Sequence, residues 1–321
     1  MLLVGAAEAA ARRGWRWVRR LGTPRDLVGD PDLASASVLL TSGSNVCDEA
    51  VFAAALQLRA VVSPMIGVEG IDAAAASAAG VIVCNSPIAE NYEGVAEGTI
   101  LLILAALYDL PGKIRLLAEN RPPPTEMDAR MLWRKTVGVV GFGRIAQAVA
   151  RRLAGWDLRL LVHTRSETAL PPHATRSDLD ALLGESDVVV LLTGLNAETK
   201  HLIDARRLNL MKPDVVLVNT SRGAVVDEAA LVAFARAHPA ARLALDVFEV
   251  EPLPADSPLR DLPNAILTPH AIAGTREVLA AIRMAAVENV AAVLAGAPRH
   301  VCNPEILDTW RERWSTQGSI R

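Results

Sequence analysis

The chain has 321 residues, 51% apolar and 21% charged, which is enough core for two domains and too apolar for a disordered chain. Its formal charge is −3, from 33 basic and 36 acidic residues, and aromatics make up only 4%. That balance argues against a nucleic-acid binder and against a polybasic membrane protein. Only four of the basic residues are Lys (113, 135, 200, 212), and with so much Ala this reads as compositional bias rather than a binding signal. Cys47, Cys84 and Cys302 stand far apart with no CxxC, so neither a disulfide framework nor a metal site is expected, and a reducing, cytoplasmic setting is. Met1 to Ala11 lacks a basic start ahead of an apolar run and is a poor signal peptide. The longest apolar stretch, Thr99 to Tyr108, is about half of the ~20 residues that span a bilayer, so it reads as a buried helix.

Short apolar strands alternate with amphipathic stretches along most of the chain, which predicts parallel βαβ units. In the first hundred residues the strands are Ser37–Leu40, Ala60–Val62 and Val81–Cys84, with helices over Asp48–Leu56 and Asp72–Ala79. A long apolar helix runs from Val95 to about Leu110. The Pro run in Arg121-Pro-Pro-Pro-Thr125 then breaks the pattern as a connection or arm. A second series follows, with strands Val137–Val140, Leu158–Val162, Val188–Leu192, Val215–Asn219, Leu243–Val247 and Ala265–Thr268. Its helices are Arg144–Leu153, Asp178–Leu183, Asp204–Leu210 and Glu228–Ala237, and Gly274 to Ala295 reads as one further long helix.

The first strand of that series runs into Gly141-Phe142-Gly143-Arg144-Ile145-Ala146, a GxGxxA turn opening a helix. Gly141 permits the tight turn, Gly143 lets the backbone approach a pyrophosphate, and Ala146 keeps helix and strand close. The helix N-terminus offers free N–H groups and a positive dipole end to the anion. The next strand ends at Val162, where an acid usually holds the ribose 2′-hydroxyl. Here His163-Thr164-Arg165-Ser166 follows, with no acid at the strand end. Arg165 can pair with a 2′-phosphate, and the Thr164 and Ser166 hydroxyls can donate to it, so NADP is expected as the preferred cofactor, with NAD possible.

Five motifs in order carry a resemblance: Val95-Ala-Glu97, Gly141 to Ala146, Val218-Asn-Thr-Ser-Arg-Gly-Ala-Val-Val-Asp227, Asp246-Val-Phe-Glu-Val-Glu-Pro252 and Thr268-Pro-His-Ala-Ile-Ala-Gly-Thr275. The chain resembles the D-isomer-specific 2-hydroxyacid dehydrogenases, among them phosphoglycerate dehydrogenase and glyoxylate/hydroxypyruvate reductases. The resemblance implies an α/β fold of two Rossmann-like or flavodoxin-like parallel-sheet domains. The dinucleotide domain, expected over residues 99–282, is then inserted into a substrate domain of residues 1–98 and 283–321. It further implies a homodimer, a cleft between domains as active site, and hydride transfer from NAD(P)H to a small 2-keto acid. The alternative is a nucleotide-sensing, corepressor-like scaffold or an inactive paralogue on the same fold.

The matched residues suit that chemistry. Arg222, after a strand end, can grip a carboxylate bidentately and polarise the neighbouring carbonyl. His270 can give or take the carbonyl proton. Glu251 matches the acid that orients the histidine, with Glu249 two residues away as the competing candidate. Asp246 matches an acid near the nicotinamide carboxamide. The substrate loop departs from the family pattern: in Ser63-Pro-Met65-Ile66-Gly67-Val-Glu69, Met65 replaces a glycine and Glu69 an Asp. Backbone N–H groups of Met65, Ile66 and Gly67 are expected to help hold the substrate, with Met65 narrowing the pocket. Gly194 replaces a common Pro.

Overall fold

In a computed structural model, the structure describes residues 6–125 and 128–315. The start of the Met1–Ala11 segment and the last six residues of the expected substrate domain lie outside them. The chain divides into two compact units, one made of Met1–Asn91 with Thr275–Arg321, the other of Tyr92–Gly274.

The first unit is built on a parallel sheet of β1 (Val38–Leu40), β2 (Ala60–Val62) and β3 (Ile82–Cys84), in that order. Alternation along these strands sorts their side chains to two faces. Val61 and Val83 join the cluster of Leu33, Val51, Phe52, Leu58 and Ile71 on one face. Ala60, Val62, Ile82 and Cys84 join Val293, Trp310 and Trp314 on the other. Both faces are covered, as an all-parallel sheet requires. Asp48 and Asp72 cap the two helices between the strands, accepting from the N–H groups of Val51 (3.4 Å) and Ala75 (2.9 Å). The chain's return supplies the helices Arg276–Leu294 and Leu307–Ser315. The second of these, not legible in the sequence, seats Trp310, whose Nε1 donates to the carbonyl of Arg59 at 2.7 Å.

The second unit holds a seven-stranded parallel sheet of β4 (Thr136–Val140), β5 (Arg159–His163), β6 (Ala174–Arg176), β7 (Val188–Leu191), β8 (Val216–Asn219), β9 (Arg242–Leu245) and β10 (Ala265–Leu267). Their spatial order is β10-β9-β8-β7-β4-β5-β6, so the order reverses between β4 and β7. That is a doubly wound sheet, and its ligands bind at the carboxyl ends of the strands beside the switch point. Every residue of the inner strands β7 and β8 is buried, the mark of a sheet covered on both sides.

Some expectations move. The domain divisions expected at 98/99 and 282/283 fall at 91/92 and 274/275. The cuts at 98/99 and 91/92 both lie inside the helix Ala89–Leu107, while 282/283 lies inside Arg276–Leu294 and 274/275 just ahead of it. The apolar pattern announces such a helix but not the sheet it packs against. The expected helix Val95–Leu110 ends at Leu107. Asp109 turns left-handed (φ 46°) and a separate helix, Leu110–Ala118, follows with no buried residue. Strand β6 carries no strand signal in the sequence, because Ala-Thr-Arg is short and largely exposed.

Candidate active site

The glycine turn leaves β4 beside the switch point. Gly141 has φ 93°, and a Cβ there would lie 2.7 Å from the Leu192 carbonyl oxygen, so backbone sterics alone demand glycine. Gly143 differs: a Cβ would stand in open space. No described protein atom requires a glycine there, which leaves the helix N-terminus open to a close backbone approach. Phe142 is 5% exposed and its ring belongs to the core, so only its backbone can face a ligand. Arg144 lies at the first helical position and donates to the Tyr92 hydroxyl at 2.9 Å; Ile145 is half-buried and Ala146 fully buried. The Gly141 N–H donates to the His163 carbonyl (2.8 Å), which sets the end of β5 beside the turn. Thr164, Arg165 and Ser166 continue from that end, and Arg165 forms an ion pair with Glu198.

Further along the carboxyl edge, Asn219 is 1% exposed and organises the turn that carries Arg222. Its Oδ1 accepts from the Ser221 N–H (3.0 Å) and hydroxyl (2.8 Å), and its Nδ2 donates to the Arg222 carbonyl (3.0 Å). Gly223 then lies against the next loop. A Cβ there would fall 1.8 Å from the carbonyl carbon of Phe248 and 2.4 Å from the Glu249 nitrogen. The missing side chain is what brings Arg222 up to the segment bearing Glu251. The Arg222 guanidinium also donates to the Ser221 carbonyl at 2.7 Å.

His270 Nδ1 meets Glu251 Oε2 at 2.6 Å, while Glu251 Oε1 accepts from the Phe248 N–H at 3.0 Å. Glu249 is occupied elsewhere: it pairs with His201 (2.8 Å) and accepts from the Glu228 N–H (3.1 Å). Of the two acids, Glu251 is the one in contact with His270. His270 has φ 50°, and its N–H is shared by the carbonyls of Asp246 (2.8 Å) and Thr268 (3.0 Å), which hold that left-handed conformation. The hydrogen bond to Glu251 raises the His270 pKa above the ordinary imidazole range; burial and the Arg222 charge oppose this, and the Glu251 and Asp246 charges add to it. Burial pushes the Glu251 carboxyl up, but its bonds to His270 and Phe248 and the charges of His270 and Arg222 outweigh that and hold it low.

Asp246 is 3% exposed. Its Oδ1 accepts from the Thr268 hydroxyl (2.6 Å) and the N–H groups of Ala271 (3.0 Å) and Ile272 (3.2 Å). It thus fastens the loop that presents His270. Gly98 serves the same loop from the helix Ala89–Leu107, since a Cβ there would strike the Ile272 side chain at 2.6 Å. Asn219 and Gly223 lie inside quoted motifs, yet nothing in their chemistry marked them as scaffolding.

The expected substrate loop belongs to the first unit. Ser63 Oγ accepts from the Met65 N–H (3.2 Å) and donates to the Gly67 carbonyl (3.0 Å); Asn85 Nδ2 donates to the Ile66 carbonyl (2.8 Å). Met65 is not among the left-handed residues, so the backbone accepts a side chain at this departure from glycine. A side chain at Gly194 would also stand in open space.

Residues 100–271 match the family model described as D-isomer specific 2-hydroxyacid dehydrogenase, NAD binding domain. Glyoxylate/hydroxypyruvate reductase B of Pectobacterium atrosepticum is 35% identical over 86% of this chain and 88% of its own. Glyoxylate reductase of Thermofilum pendens is 36% identical over 86% of this chain and 84% of its own. Among solved structures, an NAD-dependent formate dehydrogenase from Staphylococcus aureus in complex with NAD superposes with a TM-score of 0.85, at 26% identity, over 92% of this chain and 89% of that one. With the glycine turn at the switch point, the Arg222 turn and the paired Glu251 and His270 on one sheet edge, the chain belongs to the D-isomer specific 2-hydroxyacid dehydrogenases.

Proposed function

We propose that this chain reduces a small 2-keto acid to the D-2-hydroxy acid with NADPH, in the manner of a glyoxylate or hydroxypyruvate reductase. The observation that carries the reading is the 2.6 Å His270–Glu251 pair beside Arg222 at the carboxyl edge of a doubly wound sheet. The names of the two reductases support the substrate class. Bound nicotinamide supplies the hydride; Gly141 to Ile145 would hold its pyrophosphate, and Asp246, whose Oδ2 accepts at long range from the Ile272 N–H (3.3 Å), would meet the carboxamide. Arg222 grips the substrate carboxylate and draws charge from the adjacent carbonyl. His270, kept protonated by Glu251, gives its proton from Nε2 to the carbonyl oxygen as negative charge develops there. The charge left on Glu251 then favours reprotonation of the imidazole. The Met65–Gly67 loop helps hold the substrate, and Met65 is the residue whose side chain discriminates among keto acids.

NADPH is preferred because His163 to Ser166 at the end of β5 include no acid, and Arg165, Thr164 and Ser166 stand there, with Glu198 reaching Arg165 from a different turn. Cys47, Cys84 and Cys302 are free thiols, which fits a reducing, cytoplasmic setting, and no described helix is long and apolar enough to cross a membrane. The chain works as a homodimer: Leu110, Ile114 and Leu117 lie on one face of the helix Leu110–Ala118, all exposed, with Leu101 and Tyr108 nearby in sequence also exposed. A second copy would bury them.

The test is oxidation of NADPH and NADH, followed by absorbance, against glyoxylate, hydroxypyruvate, pyruvate and phenylpyruvate. Turnover with at least one acid and a higher kcat/KM for NADPH is expected. His270→Ala should lose ~10²–10⁴-fold in kcat with cofactor affinity kept. Absence of turnover with every acid would return the scaffold reading.

A further inference from the structure

The loop after β5 meets two arginines in opposite electrical situations, its own Arg165 and Arg176 of β6. Arg165 projects from the loop and forms an ion pair with Glu198. Glu198 is anchored by a turn after β7: Asn196 Oδ1 accepts from the N–H groups of Glu198 (2.9 Å) and Thr199 (3.0 Å), and the Thr199 hydroxyl donates to the Gly194 carbonyl (2.7 Å). Arg176, at the end of β6, donates to three loop carbonyls, those of Thr164 (3.0 Å), Ser166 (3.1 Å) and Thr168 (3.0 Å). No carboxylate pairs with it among the described residues. The hydroxyls of Thr164, Ser166 and Thr168 form a chain, 3.0 and 2.9 Å apart. Arg176 thus sets the loop's shape and keeps its charge; Arg165 has its charge compensated.

We propose that Glu198 and Arg176 set this chain's discrimination between the 2′-phosphate of NADPH and the 2′-hydroxyl of NADH. Arg176 is the fixed cation that builds the loop, and Glu198 is a resident counter-ion that holds Arg165 until the phosphate displaces it. This rests on the NADPH reading above. A 2′-phosphate brings about −1.5 to −2 charges. To meet it, Arg165 must exchange or share Glu198, whose carboxylate then faces a like charge within about one Debye length, ~8 Å in physiological salt. The carboxylate therefore moderates NADPH binding and is indifferent to NADH. Arg176 acts on the phosphate both by charge and by holding the three hydroxyls in line.

The experiment is calorimetric titration of the full chain with adenosine 2′,5′-bisphosphate and, as control, adenosine 5′-monophosphate. Neither probe needs a substrate. Glu198→Gln is expected to tighten the bisphosphate about threefold to tenfold, with the monophosphate changed less than about twofold. The gain should vanish in an Arg165→Ala background, which a merely structural effect on the turn would not show. Arg176→Gln should weaken the bisphosphate about tenfold or more beyond any loss for the monophosphate, and Arg176→Lys should recover part of it. Bisphosphate affinity that is unchanged or weaker in Glu198→Gln overturns the proposal, as does a gain that survives Arg165→Ala; binding to neither wild type nor Glu198→Gln does the same. The NADPH reading fails separately: a wild type that prefers NADH, yet tightens on the bisphosphate in Glu198→Gln, refutes the preference and keeps the counter-ion.

Discussion

Replacing Glu251 with Gln tests the proton donor without changing the shape of the site. The amide keeps an oxygen to accept from His270 Nδ1–H, but removes the charge and sets an NH2 group where the carboxylate accepted from the Phe248 N–H. A hydrogen bond to a charged partner contributes about 1.5–3 kcal/mol and a neutral one about 0.5–1.5. The 2.6 Å contact places the native pair in the first class. The difference is about 1–1.5 kcal/mol, which solvent screening trims to about 1, because the two side chains are 46% and 33% exposed. That corresponds to about a fivefold loss in kcat/KM for keto-acid reduction near neutral pH. The pH profile is the sharper readout. Glu251 raises the His270 pKa, so the acid form needed for reduction persists above the ordinary imidazole range. In Glu251→Gln the alkaline limb of kcat/KM for reduction should move to lower pH. The acid limb for hydroxy-acid oxidation, which needs the base form, should move the same way. The assay is initial-rate nicotinamide absorbance over a pH series in both directions. An alkaline limb that stays in place, with kcat/KM unchanged, would refute the assignment of Glu251 as the partner of the proton donor.

The same pair carries a stability signature. His270 is raised when folded and Glu251 lowered, so their contribution is complete between the ordinary carboxyl and imidazole values of the unfolded chain; it fades as pH rises from the latter through the folded His270 value or falls from the former through the folded Glu251 value, and thermal unfolding of wild type and Glu251→Gln should converge at both extremes. Arg222→Lys keeps the charge and loses the planar fork, so kcat/KM for keto acids should drop about tenfold to a hundredfold with cofactor affinity nearly unchanged; equal activity would sink the bidentate clamp. Gly223→Ala drives a Cβ into the backbone at Phe248 and Glu249, which no rotamer relieves, so a loss of about 3 kcal/mol in chemical denaturation, with kcat/KM reduced in the folded fraction, is expected. The double variant Ile114→Glu and Leu117→Glu should sediment as a monomer, and an unchanged dimer would place the interface elsewhere.

What the sequence determined by itself was local or periodic. Val137–Val140 and Val188–Leu192 announce buried strands because only a sheet covered on both faces tolerates runs without a polar residue, and Asp48, Asp72 and Asp204 announce helix starts because a carboxylate there satisfies N–H groups the helix cannot. The glycine turn and the motifs holding Arg222, Glu251 and His270 were legible for the same reason: each is a short run whose chemistry follows from its own residues. Tertiary structure decided the pairings. That Glu251 and not Glu249 meets His270 depends on where Glu228 and His201 stand, residues far off in the chain. The cut at 91/92 depends on which sheet receives a helix, a question its apolar pattern does not contain. Arg165 read as an open phosphate receptor until the turn after β7 brought Glu198 to it and β6 brought Arg176 under three carbonyls. Composition and spacing specify what a residue can bond; the partner a charged side chain finds is set by chain segments that only folding brings together.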